Sequence, residues 1–144
     1  MSTDKNKIIM QRYFEQAWNL GNLAVLDELV APNYINHNPA MPGLPPGPAG
    51  LKPIFTAFRQ AFPDIYFTIE DQIAEGDLVV TRWTMRGTQQ GELMGVPPTG
   101  KQVSVTGIET ERLADGKIVE HWLNVDQLGM LQQLGVVPAP SQAG

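Results

Sequence analysis

Three polar residues stand on or beside one strand-like stretch near the C-terminal end: His121, Asn124 and, at its end, Asp126. The stretch Ile118 to Val125 is mostly β-branched, aromatic or apolar, which suits a pleated, half-buried surface. Polar groups buried on a strand need partners, and a ligand pocket is one place where they find them. One strand earlier, Val103, Val105, Gly107 and Glu109 share a face by alternation. If that face lines an interior, Glu109 is a carboxylate among apolar neighbours. Its proton affinity then rises toward the working range of an acid/base group. Glu109 and His121 are therefore the candidate catalytic acid/base pair.

The turn between the two strands sets whether they can meet. Asp115-Gly116 is a tight-turn dipeptide. With those two as the loop, Ala114 lies opposite Lys117, Glu109 opposite Trp122, and His121 opposite Thr110. Glu109 and His121 then point to opposite faces. A one-residue bulge or a three-residue loop at the turn restores a shared face.

The elements that must position these residues follow from periodicity. Ile8, Ile9, Tyr13, Phe14, Ala17 and Trp18 recur at helical spacing, and Gly21 is a helix stop. A second helical piece runs from about Leu23 to Val30 and ends at Ala31-Pro32. The Pro/Gly-rich stretch from Pro39 to Pro48 reads as a surface loop of the kind that can cover a pocket. Leu51, Ile54, Phe55, Phe58 and Phe62 form one helical stripe closed by Pro63-Asp64. There the period changes from 3.6 to 2. Strands are expected over Ile65 to Ile73, Leu78 to Gly87, Gln102 to Leu113 and Ile118 to Val125. Helices first and an antiparallel meander after them predict an α+β fold. Its form is a cone, about three N-terminal helices packed on a curved, mainly antiparallel sheet that encloses a pocket. Residues 1–138 read as one domain and 139–144 as a flexible tail.

Composition bounds the function. The chain has 144 residues, 42% apolar and 17% charged, with formal net charge −5. That is a globular composition, and its acidity argues against nucleic acid as a partner. With no cysteine and two histidines, disulfides, thiolate metal sites and His-rich metal sites are not expected. No signal peptide or membrane-length apolar run is visible, so a cytoplasmic protein without membrane contact is expected.

Several short motifs recur in an order that resembles one family. They are Ala17-Trp18-Asn19 with Gly21, Tyr34-Ile35-Asn36-His37, Ala61-Phe62-Pro63-Asp64 and Gly76-Asp77-Leu78-Val79-Val80. Gly87-Thr88, Gly95-Val96-Pro97-Pro98-Thr99-Gly100 and the run from Gly116-Lys117-Ile118 to Leu134-Gly135 continue the series. Together they resemble the SnoaL-like polyketide cyclases of the nuclear transport factor 2-like superfamily, over almost the whole chain. The resemblance implies a ring closure on a polyketide ester without metal or cofactor: a carboxylate removes a proton beside a carbonyl, and hydrogen-bond donors hold the enolate. It also implies where the base should stand. In an ungapped match from Gly116, the aspartate that serves as base in those cyclases falls on Leu123. Their partner histidine falls on Glu109 and a glutamine on Gly107. Asn36 matches a pocket asparagine and Trp18 a pocket aromatic.

Trp18, Asn36, His37, Trp83, Leu123 and Asp126 are thus the candidate substrate-binding residues. Each has a plainer reading. Glu109 could pair in solvent with Arg82, Arg86 or Arg112, and His121 could be a satisfied strand histidine. His37 could serve the loop beside Asn36 and Asn38. Asp126 could cap the helix that begins at Gln127, and the tryptophans could be core. Three functions stay open. The first is a cofactor-independent cyclase, isomerase or lyase acting on a hydrophobic carbonyl compound. The second is a non-catalytic module of the same fold that binds a hydrophobic small molecule or dimerises. The third is an epoxide hydrolase-like enzyme built from Arg82, Arg86 and Asp126. A homodimer through the sheet is expected, because so large a sheet has too few helices to cover its outer face.

Overall fold

The computed structural model describes residues 2–38 and 43–138. Positions 39–42 of the expected covering loop and the expected tail 139–144 lie outside the described residues. Helix α1 (Thr3–Arg12) starts at Ser2, whose side chain accepts a hydrogen bond from the Lys5 amide. It runs straight into a π-helical segment, Tyr13–Asn19, whose wider turn buries Tyr13, Phe14, Ala17 and Trp18 together. A short helix α2 (Val25–Leu29) follows. Helix α3 (Pro48–Ala61) begins earlier than its apolar stripe, with Pro48 at its first position, where a missing N–H costs nothing. Among the described residues there are four α-helices, the last being α4 (Gln127–Leu134).

Five strands make one mixed, open sheet: β1 (Val30–Asn36), β2 (Tyr66–Glu75), β3 (Leu78–Thr88), β4 (Gln102–Ala114) and β5 (Lys117–Val125). Their spatial order is β1-β5-β4-β3-β2. All neighbours are antiparallel except β1, which lies parallel to β5 at the edge. The α+β fold and its mainly antiparallel sheet agree with the sequence expectation. The edge strand β1 is a departure from it. Pro32 reads as a helix stop, yet an edge strand tolerates a residue without an N–H.

The inner face of the sheet packs on the helices. Along β4 the alternation is strict, with Val103, Val105, Gly107, Glu109, Glu111 and Leu113 buried. Val79 and Trp83 of β3 also face inward, whereas Ile108 is exposed on the outer face. Trp83 stands directly opposite Gly107, and a Cβ at Gly107 would collide with the indole ring. The glycine is what lets Trp83 lie flat across β4.

The β4–β5 hairpin carries the bulge that the shared-face geometry requires. Ala114 pairs with Lys117 and Leu113 with Ile118, as a two-residue loop dictates. The register then slips by one, so that Arg112 pairs with Glu120, Glu111 with His121 and Glu109 with Leu123. Beyond the slip, His121 points inward with the buried residues of β4.

Candidate active site

Between the helices and the sheet lies a cavity of about 160 Å3. Its wall is aromatic. Trp18 stacks on Phe55 at 3.8 Å between ring centres, Phe67 lies 4.8 Å from both Trp18 and Trp83, and Tyr13 meets Phe55 edge-on. Met85, Val105, Leu123 and Met130 extend the apolar lining. The polar residues that reach it are few: Asn36 and Asn38 from the β1 end, Gln127 from α4, and Glu109 and His121 from the sheet. A mostly apolar cavity with a few convergent polar groups is the usual form of a small-molecule site.

Glu109 and His121 sit on one wall of this cavity. Oε2 of Glu109 is 3.4 Å from Nδ1 of His121. Oε1 of Glu109 accepts a hydrogen bond from the Trp83 indole, Nε1 to Oε1 2.8 Å. A third group, Glu111, completes the cluster: its Oε2 lies 2.5 Å from His121 Nδ1, directly across the strand pair. All three side chains are buried, Glu109 at 4%, Glu111 at 1% and His121 at 5% exposure. Oε2 of Glu109, Oε1 of Glu111 and the hydroxyls of Tyr34 and Thr81 are buried with no hydrogen-bond partner among the described residues.

Burial dominates the electrostatics. It pushes the Glu109 carboxyl well above its ordinary range, and the neighbouring Glu111 raises it further. Burial takes Glu111 up to about 7 and moves His121 down from its ordinary value. Two carboxylates this close cannot both ionise cheaply away from water. The cluster therefore favours one shared proton over two charged carboxylates, and burial favours the neutral imidazole. Two carboxylates and an imidazole are also a metal donor set. Two ligands each about 2 Å from one small divalent ion stand roughly 3 Å apart. The 2.5 Å between Nδ1 and Oε2 is instead the separation of a short hydrogen bond.

The other candidates divide clearly. Trp18, Asn36, Trp83 and Leu123 line the cavity. Asp126 does not: its side chain accepts from the Gly129 amide at 2.9 Å and caps α4, so the capping reading replaces substrate binding. His37 also lies away from the cavity. It stacks on Trp122 at 4.9 Å and pairs with Glu120, which also binds Arg112, on the outer side of the sheet. The solvent pairing considered for Glu109 does not occur, because its side chain is buried; Arg82 pairs instead with Asp71 and Arg112 with Glu120. An Arg82/Arg86/Asp126 cluster is likewise absent from the cavity lining. Glu111 is the residue that the sequence reading passed over, although it continues the inward face of Glu109 two positions on.

The family model of the SnoaL-like polyketide cyclases matches residues 8–134. The nogalonic acid methyl ester cyclase of Streptomyces nogalater is 32% identical over 129 residues, covering 89% of this chain and 96% of that protein. Among solved structures, TsrD from Streptomyces laurentii superposes with a TM-score of 0.87 at 28% identity, covering 95% of this chain and 99% of that one. IdmH from Streptomyces antibioticus, a putative polyketide cyclase, gives a TM-score of 0.78 at 38% identity over 90% and 98% of the two chains.

Proposed function

The chain belongs to the SnoaL-like polyketide cyclase family, and from that premise we propose that it closes a ring in a hydrophobic polyketide-type carbonyl compound by acid/base chemistry of Glu109 and His121. The observation that carries this reading is the cross-strand pair Glu109 and Leu123. Leu123 stands where the resemblance puts the base, and a leucine takes no proton. The residue directly opposite, on the same face, is a carboxylate that lines the same cavity. The proton-handling group has moved across one strand rather than vanished. The Trp83 indole, lying over Gly107, supplies an N–H near the place where those cyclases carry a glutamine. The aromatic walls hold a flat, apolar substrate, and a water-poor site strengthens the hydrogen bonds that stabilise an enolate.

A displaced acid/base group implies a changed substrate geometry. Nogalonic acid methyl ester should close at least about 100-fold more slowly than with the Streptomyces nogalater enzyme, because its acidic carbon would face Leu123. A less demanding probe is deuterium exchange at the methyl group of an acetylnaphthalene in deuterium oxide, followed by mass spectrometry. The wild type should accelerate exchange, and Glu109→Gln should lower the rate by about 100-fold. Rapid closure of the ester that survives Glu109→Gln would defeat this reading. Ligand binding without any exchange would favour a non-catalytic binding role.

A further inference from the structure

The reading above leaves open which partner takes the carbon-bound proton, and it gives Glu111 no part. Glu111 is the most buried member of the cluster and approaches His121 more closely than Glu109 does. The approach is to Nδ1. His121 also lines the cavity, and among the described residues its Nε2 has no hydrogen-bond partner. An imidazole with its Nδ1–H given to a carboxylate carries its lone pair on Nε2.

We propose that Glu111 is the positioning residue of the site: it holds Nδ1–H of His121, fixes the tautomer, and so makes Nε2 the base, with Glu109 as the neutral acid. This rests on the acid/base reading of the cavity. The two carboxyls differ in their partners. Glu109 receives the Trp83 N–H on Oε1, which leaves Oε2 to carry the proton. Glu111 meets Nδ1 of His121 on Oε2, and the Glu109 carboxyl is its other hydrogen-bonding neighbour. Burial raises both, so the pair holds a proton that two exposed carboxyls would have lost.

The step balances without a co-reactant. The C–H bond beside the carbonyl breaks, its electron pair enters the enolate, and the proton goes to Nε2. The imidazolium that forms is opposed by the Glu111 carboxylate. The Glu109 hydroxyl donates a hydrogen bond to the enolate oxygen. In ring closure the same electron pair forms the carbon–carbon bond, and the new alkoxide takes the proton back from Nε2.

Nitrogen NMR tests the assignment without needing turnover. The chain has only two histidines, so protein labelled in histidine with nitrogen-15 gives two ring systems, and a His37→Gln variant identifies each. At about pH 8, where Glu111 is ionised, His121 should show a protonated Nδ1 and an unprotonated Nε2. In Glu111→Met that tautomer should lose its dominance, and Glu111→Asp should restore it in part. Exchange into the acetylnaphthalene should fall by about 100-fold in Glu111→Met, with KM changed less than about threefold. A protonated Nε2 in the wild type, or a tautomer unchanged in Glu111→Met, overturns the proposal. So does undiminished exchange in Glu111→Met while Glu109→Gln is impaired, and in that case the acid/base reading survives. If the wild type catalyses no exchange, the acid/base reading falls, and the NMR alone decides whether Glu111 sets the His121 tautomer.

Discussion

Side-chain burial makes the cluster chemically active and also makes it sensitive to pH. A carboxyl that binds its proton more tightly in the fold than in the unfolded chain stabilises the fold only while it stays protonated. For Glu111, raised from 4.5 to about 7, that contribution is complete below about pH 4.5 and is lost as pH climbs to about 7. Glu109, shifted the same way, carries the loss to higher pH. His121 is shifted down, so its contribution has the opposite sign: it is present above about pH 6.5 and fades as pH falls through the lowered value. The clean readout is therefore a difference between proteins. At about 1.4 kcal/mol per pKa unit, Glu111 accounts for about 3 kcal/mol between pH 5 and pH 8. Urea unfolding at those two pH values should show the wild type losing more stability than Glu111→Gln by an amount of that order. Equal losses in the two proteins would mean that Glu111 is not titrating in a buried site.

Elements decide which residues meet, and here sequence and structure part in an instructive way. The strands around Glu109 and His121 were legible because alternation is strict in β4 and because Asp115-Gly116 can only be a turn. The face of His121 was not legible. It depends on one extra residue in β5 near the turn, which no residue type in the hairpin announces. Glu111 was hidden for a related reason. A run of Glu109, Glu111 and Arg112 looks like an ordinary charged strand end until its burial is known. The π-helical segment was legible only as a helix, since Tyr13, Phe14, Ala17 and Trp18 satisfy helical spacing in either winding. Asp126 shows the reverse case, in which the plain capping rule outweighs the functional reading. Asp126→Ala should cost about 1 kcal/mol in thermal or urea unfolding while leaving acetylnaphthalene exchange near wild type. Loss of exchange without loss of stability would restore Asp126 to the site.

At the scale of the whole molecule, the sheet has one face committed to the cavity and one left outside. The inward face carries the aromatic wall and the proton-handling cluster, which leaves the other face of the sheet open to a partner. On that outer face Ile108 and Trp122 are exposed, at 49% and 39%, on the adjacent strands β4 and β5. Charged partners frame them: Arg82 with Asp71 on one side, and Arg112, Glu120 and His37 on the other. An apolar centre with a polar rim is the composition of a protein interface. A two-fold pairing of sheets would cover it with the same patch from a second copy, and a stable interface of this kind needs about 800 Å2 from each partner. Val79 and Trp83 are unavailable for this because they face the core, whereas Ile108 and Trp122 are exposed at its centre. Light scattering at micromolar concentration should therefore give twice the 15.8 kDa mass of one chain. Ile108→Glu should shift that mass toward a single chain without disturbing the His121 nitrogen resonances, since its side chain lies on the far side of β4 from the cavity. A wild-type protein that stays at the mass of one chain under those conditions would show that the outer face is exposed in solution.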